Sequence, residues 1–386
     1  MKTVAVEGVR RPAWAEVSAS AIRHNVRALR AVVGDAAICA VVKANGYGHG
    51  PVLVAKAALE GGATSLAVAL VDEGLELRHA GVTAPILLLT EIPPETIPDA
   101  FGATLTLTIG SLEGAHAASR WAQSLGGTHP VHVKVDTGMH RMGVAPEDLD
   151  EVVDVLVASP NVELEGLYTH LSVADGPSVE DRDFSESQIH LFDNLVANLA
   201  ARGVTPAILH CANSAGALGY PSSRHTMVRV GLSLYGYLPD AWLANSLEEK
   251  GQHLTPALAL RAQVSAVRRV AAGERPSYGR RRELTRDATI VTVPFGYADG
   301  YPRHLFEGGA EVLINARRYP LAGMVTMDQL VVDVGDDEVA MGDDVVLLGR
   351  QGGDVIGADE WAAWGGTITW EVLTSLGARI PRVLVD

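Results

Sequence analysis

Cysteine is scarce in this chain: there are two in 386 residues, Cys39 and Cys211, far apart and each in or beside an apolar run. Such a pair offers no disulfide framework and no metal-ligand spacing, so both are expected to be small buried hydrophobes and no metal is expected. Long apolar runs are also missing, and none approaches the ~20 residues that a membrane-spanning helix requires. Positive charge is in deficit. Against 46 Asp and Glu there are 31 Lys and Arg, a formal net charge of −15, which argues against nucleic acid or anionic membranes as partners. The start, MKTVAVEGVRRPAW, lacks an unbroken apolar segment and a small-residue cleavage site, so a cytoplasmic location is expected. A dinucleotide fingerprint is absent too, because GYGHG at 46–50 has the wrong spacing.

What is present is ordinary globular composition, 47% hydrophobic and 20% charged, in a chain long enough for two domains. Eight short β-branched or Leu-rich runs fall at 36–42, 66–70, 85–90, 104–109, 131–136, 162–170, 207–212 and 227–231. Helical periodicity occupies 18–30, 51–60, 72–80, 112–124, 146–158 and 185–201. Strands alternating with helices imply right-handed βαβ units, and eight such units suit an α/β fold with an N-terminal (β/α)8 TIM barrel. A doubly wound open sheet is the alternative. Beyond about residue 240 the rhythm changes to strand-like runs at 254–270, 288–297, 311–334 and 344–348, with helical pieces only at 358–363 and 367–376. The expected organisation is a disordered or frayed 1–12, a barrel over 13–240 whose first strand, 14–17, can pack with the C-terminal domain, and a β-rich C-terminal domain over 241–386.

The chain is organised around AICAVVKANGYGHGP, a buried-strand pattern that ends in Lys43 and a glycine-rich turn. An ammonium directly after such a strand loses hydration, which favours the neutral, nucleophilic amine that captures carbonyl cofactors as a Schiff base. A lysine that merely extends to solvent is the other reading of that position. At the C-terminal ends of the other strands stand Lys134, Asp136, His170, Asn213, Ser214, Arg229 and Gly231. Each has a plain structural explanation alone. Two lysines, a histidine and an arginine converging on one rim require an anion, and the region after strands seven and eight is the usual phosphate site of such barrels. Lysine, phosphate and barrel together suggest pyridoxal 5'-phosphate.

Nine ordered segments, VVKANGYGHG, VKVDTGMHRMG, GLYTHL, HCANSAG, MVRVGLSLYG, SYGR, GYADGY, TMDQ and GTITWE, resemble the motifs of the alanine racemase family from about residue 14 to 382. The resemblance implies a homodimer that interconverts L- and D-alanine with pyridoxal 5'-phosphate and supplies D-alanine for peptidoglycan. It implies that Lys43 holds the cofactor and that Lys43 and Tyr278 are the two catalytic bases. Tyr47, Ser214, Gly231 and Leu232 would lie at the phosphate, with Asn213 and Trp370 among the cofactor contacts. Arg229 would face the pyridine nitrogen, with His170 near it. Arg141, Met327 and Asp328 would hold the substrate, and Lys134 would be carboxylated rather than ion-paired to Asp136. Tyr278, Met327 and Asp328 would come from the partner subunit. One departure stands out: Trp370 occupies the place of a family tyrosine, and its indole can donate a hydrogen bond but not accept one. Two other activities share parts of this pattern, a racemase for another small amino acid such as serine and a pyridoxal-phosphate decarboxylase. The decarboxylase would favour an acidic residue where Arg229 stands and a cysteine late in the chain, and no cysteine follows Cys211.

Overall fold

The structure is a computed structural model and describes residues 10–386. Most of the stretch expected to be frayed lies outside the described residues. Arg11 lies within them and is anchored, forking onto both oxygens of Asp299 at 2.7 and 2.6 Å. The chain divides into two compact units. One takes the chain up to Ala19 together with Tyr47–Gly50 and Pro256–Asp386, and the other takes Ser20–Gly46 and Pro51–Thr255. Strands are numbered along the chain. The first, β1 (Ala13–Val17), belongs to the β-rich unit.

The next eight strands build the barrel unit: β2 (Ala37–Val41), β3 (Ser65–Val68), β4 (Ile86–Leu88), β5 (Leu107–Ile109), β6 (His129–Lys134), β7 (Val162–Tyr168), β8 (Ile208–His210) and β9 (Met227–Val230). They correspond one to one with the eight runs read from the sequence. Parallel pairing runs β4-β3-β2-β9 and β5-β6-β7-β8. A parallel bridge between Leu87 and Thr106 joins β4 to β5. The Thr226 N–H to Leu209 O bond (3.1 Å) and the Arg229 N–H to Ala212 O bond (3.0 Å) close β8 onto β9. The ring is complete, so no strand edge is left to pair elsewhere. Its helices cover the outside with apolar stripes such as Val152, Val153 and Leu156. Cys39 and Cys211 are fully buried and unpaired, and burial pushes both thiols above their ordinary range.

The β-rich unit continues with β10 (Leu258–Gln263), β11 (Ala266–Val270), β12 (Ala288–Val293), β13 (Glu311–Ile314), β14 (Arg317–Pro320), β15 (Leu330–Gly335), β16 (Asp344–Gln351), β17 (Asp354–Ile356) and β18 (Arg382–Leu384). A seven-stranded sheet runs β14-β13-β16-β10-β1-β18 with β17 on β16, and β11-β12-β15 form a second sheet. From the helix Ala358–Gly365, Trp361 is fully buried against Tyr301 at 4.5 Å and donates its indole N–H to Leu347 O of β16 at 2.9 Å.

Where the elements differ from the pattern reading, the cause is local. The helix expected from 185 begins at Val179, because Ser178 caps it reciprocally with Asp181 and the acidic first turn reads as loop. The three-residue strands β17 and β18 carry too few apolar positions for period-two alternation to register.

Tyr47–Gly50 joins the β-rich unit by close backbone approach. Gly48 has φ +80°, a Cβ there would collide with the Leu373 carbonyl oxygen, and Gly48 O accepts from Arg382 at 2.9 Å. Gly48→Ala combines a left-handed residue with overpacking, so a loss of about 2–5 kcal/mol is expected in urea unfolding. An unchanged urea midpoint would contradict this account of the glycine.

Candidate active site

Lys43 follows β2 directly, at the end of the barrel where βα loops gather. The residues after it form a left-handed turn, with φ of 54° at Ala44, 56° at Asn45, 58° at Gly46 and 49° at Tyr47. Each non-glycine residue in that conformation costs ~1–2 kcal/mol, so the turn needs external ties. Glu73 supplies them. Its Oε1 accepts from the Ala44 N–H at 2.6 Å, and its Oε2 accepts from the N–H groups of Ala69 and Leu70 at 2.8 and 3.1 Å. The Tyr235 hydroxyl fixes the strand end through Val41 O at 2.9 Å. Thus held, the Lys43 amine is half-buried, and burial first, then the charge of Arg141, lowers its pKa below the ordinary lysine value.

Arg229 on β9 is buried and donates to three carbonyl oxygens, Thr169, His210 and Cys211, and to two imidazole nitrogens, all within 3.1 Å. Its guanidinium lies 5.1 Å above the Tyr168 ring, which stacks on His210 and bonds Thr108 through its hydroxyl at 2.8 Å. Because guanidinium only donates, His170 Nδ1 (3.1 Å) and His210 Nδ1 (2.7 Å) must accept, and each ring carries its proton on Nε2. Burial and the Arg229 charge push both imidazoles well below their ordinary pKa, so both are neutral. Lys134, buried at the end of β6, is lowered to about 8 by burial and by Arg141 and Arg229.

The same unit carries a group of hydroxyl and backbone donors after β8 and β9. Asn213 caps the helix Ser214–Gly219 by accepting from Gly216 N–H at 2.9 Å. The Ser214 Oγ accepts from Gly231 N–H at 3.0 Å and Ser233 N–H at 3.4 Å, and its own proton meets no acceptor among the described residues. The Ser233 hydroxyl in the same turn is buried and unpartnered. Leu232 opens a 3-10 turn, so its N–H has no acceptor within that turn. Arg141 is exposed, just beyond the loop that Asp136 Oδ1 gathers through the N–H groups of Gly138, Met139 and His140. Lys43, Lys134, Arg141 and Arg229 are four cations in this one unit, and among the described residues none is paired to a carboxylate.

The remaining sequence-derived candidates sit on the β-rich unit. Tyr278, 68% exposed, is in a turn tied to Met324 O by the Ser277 hydroxyl at 2.6 Å. The same loop continues to Met327, 53% exposed, and to Asp328, whose Oδ1 takes Arg379 at 2.7 Å. Tyr47 is buried there, with its phenol pushed up to about 12. Trp370 is half-buried in the helix Thr369–Thr374.

Family descriptions named "Alanine racemase, N-terminal domain" and "Alanine racemase, C-terminal domain" match residues 17–239 and 257–384. The chain belongs to the alanine racemase family. The alanine racemase of Symbiobacterium thermophilum is 43% identical over 373 residues, covering 96% of this chain and 97% of that one. The solved alanine racemase of the D-cycloserine producer Streptomyces lavendulae superposes with a TM-score of 0.90 at 36% identity, covering 98% of each chain. A histidine racemase from Leuconostoc mesenteroides shares the fold at a TM-score of 0.86 and 30% identity, covering 98% of this chain and 99% of that one. The family is one of pyridoxal-phosphate-dependent isomerases, and the residues present fit that cofactor. Unpaired cations and the free proton of Ser214 suit a phosphate, and a desolvated lysine amine suits an aldehyde.

Glu73, Tyr168 and His210 were absent from the sequence-derived site. Glu73 carried a signal, since it is the third residue of the helix Val71–His79 directly after a strand. His210 and Tyr168 lie inside apolar runs, where only the strand register shows what they face. Glu73→Ala removes a carboxylate from three backbone donors, and a loss of about 2–4 kcal/mol is expected in urea unfolding, with weaker cofactor binding in equilibrium dialysis. Wild-type values for both would mean that the turn holds itself.

Proposed function

We propose that this protein interconverts L- and D-alanine as a cytoplasmic homodimer, with each active site completed by residues of the second copy. The observation that carries the reading is a set of four cations, none ion-paired to a carboxylate among the described residues, one of them a half-buried lysine amine. In this reading Lys43 holds the cofactor through its aldehyde. The phosphate would take the Ser214 hydroxyl and the Leu232 N–H, beside the Asn213 cap, while the Gly231 N–H is given to Ser214 Oγ. Pyridoxal phosphate, when bound, supplies an electron-withdrawing ring that loosens the proton on the amino acid's Cα.

Inverting that carbon needs a base on each face, because one group cannot reach both. Lys43, its pKa already lowered, exchanges the proton on one face, and Tyr278 serves the other. A phenol has an ordinary pKa near 10 and needs a donor to hold its anion. The Nε2–H of neutral His170 is such a donor, aimed by Arg229. Toward a pyridine nitrogen Arg229 could only donate, through the Nε–H that its protein contacts leave over, and it would so favour an unprotonated nitrogen and a weaker electron sink. Arg141, Met327 and Asp328 hold the substrate carboxylate. The exposure of Tyr278 and Met327 within one chain supports their use by a partner copy. In a Tyr278→Phe variant, L-to-D turnover should fall about 10²–10⁴-fold while cofactor absorbance is retained. Mixing it with a Lys43→Ala variant should restore turnover, because a hybrid dimer regains one complete site. Near-normal turnover of Tyr278→Phe, or no recovery on mixing, would overturn the assignment.

Lys134 is proposed to carry CO2. Its neutral amine attacks CO2 and releases one proton, and the resulting carbamate anion offsets Arg141. The lowered amine pKa sets the sign: with dissolved CO2 held fixed, occupancy should rise from pH 7 to pH 9 as the neutral amine accumulates about pH 8. A 13C carbamate signal from labelled CO2, absent in Lys134→Ala, measures it. A flat or falling profile would contradict the proposal.

A further inference from the structure

The Arg229 contacts do not end at His210. From β8, His210 Nε2 lies 2.8 Å from His132 Nδ1 on β6, and His132 Nε2 lies 3.0 Å from Glu165 Oε2 on β7. The direction of all three bonds follows from the first. Arg229 cannot accept, so His210 Nδ1 accepts and its Nε2–H donates. His132 Nδ1 therefore accepts, leaving its Nε2–H to donate, and a carboxylate is the acceptor that completes the row. We infer that Glu165 and His132 are positioning residues for Arg229, acting through His210, and that this row runs through the barrel from the opposite mouth.

Two independent features support the assignment. Gly166, next to Glu165, is the residue that β7 places beside His132, and a Cβ there would lie 2.7 Å from three atoms of the imidazole ring. The glycine has an ordinary φ, so it serves space alone, and the space is filled by His132. The second feature is a cavity of about 380 Å³ at the N-terminal strand ends, lined by Ala37, Ser65, Thr106, His132, Glu165 and Met227 among others. The Glu165 side chain is 30% exposed whereas that of His132 is 3% exposed. Water thus reaches the carboxylate while the imidazoles stay dry, so the one member that must be ionised is the one that is hydrated. The His132 hydrogen bond also holds the Glu165 carboxyl below its ordinary range.

In energetic terms, the row places the negative charge that answers buried Arg229 two imidazoles away rather than beside it. The guanidinium keeps a fixed acceptor at His210 Nδ1 and leaves its outer face to the site. If His132 took the other tautomer, its Nδ1–H would oppose His210 Nε2–H. Relief would then turn a His210 donor toward Arg229.

The inference rests on the proposed place of Arg229 at the cofactor ring, but its test does not. Nitrogen NMR of the holoenzyme with 15N-labelled histidine reads each ring's tautomer without substrate, and His132→Gln and His210→Gln assign the signals. Wild-type His132 and His210 should both be Nε2–H. In Glu165→Leu or Gly166→Ala, an Nδ1–H population should appear at His132, whereas Glu165→Gln, which still accepts through its amide oxygen, should keep the wild-type tautomers. Turnover of Glu165→Leu should fall about tenfold with KM little changed, the loss usual for an outer hydrogen-bond partner. An Nδ1–H form of either ring in the wild type would overturn the inference. So would wild-type tautomers in both Glu165→Leu and Gly166→Ala. Absence of racemase activity with the expected tautomers would instead count against the proposed function and leave this row intact.

Discussion

A guanidinium buried without a carboxylate beside it governs the chemistry of the barrel unit. Arg229 spends its terminal N–H groups on three carbonyls and two imidazoles, and none of those partners carries a charge to answer its own. With no carboxylate in contact, the cation makes every further positive charge nearby unfavourable. His170 and His210 are therefore neutral, and Lys134 is a weak base. No other side chain would serve. Lysine has three donors for five acceptors and could shed its proton, whereas arginine remains charged under all relevant conditions.

The barrel was legible because its strands are buried on both faces and read as unbroken apolar runs, one per βα unit. Lys43 was legible for the same reason, as a cation that breaks such a run. His132 and Glu165 were not. They sit at alternate positions among apolar residues, which says that they face inward but not what they meet. That depends on register, and register here includes a shift between Val131 and His132 that no single sequence discloses. The left-handed turn after Lys43 was half legible: glycines announce a turn, but Ala44, Asn45 and Tyr47 at positive φ are imposed from outside by Glu73. Asn213 carries the structural role of a helix cap, as Asn-Ser before a helix predicts.

Trp370 is where family pattern and this chain part. A phenol can both donate to a phosphate and accept from a neighbour, whereas indole offers one donor and a larger apolar face. The exchange therefore leaves position 370, in the helix Thr369–Thr374, with one side-chain donor and no acceptor.

The same reasoning bears on the proposed second base. On the barrel rim, the Nδ1 atoms of His170 and His210 are committed to Arg229. The Tyr168 phenol is bonded to Thr108 and pushed up to about 12. Lys134 is enclosed by like charges. Among the described residues, Lys43 is the one amine with both a lowered pKa and partial exposure. In the proposed reading, the base for the other face comes from a surface where a phenol stands exposed, as Tyr278 does.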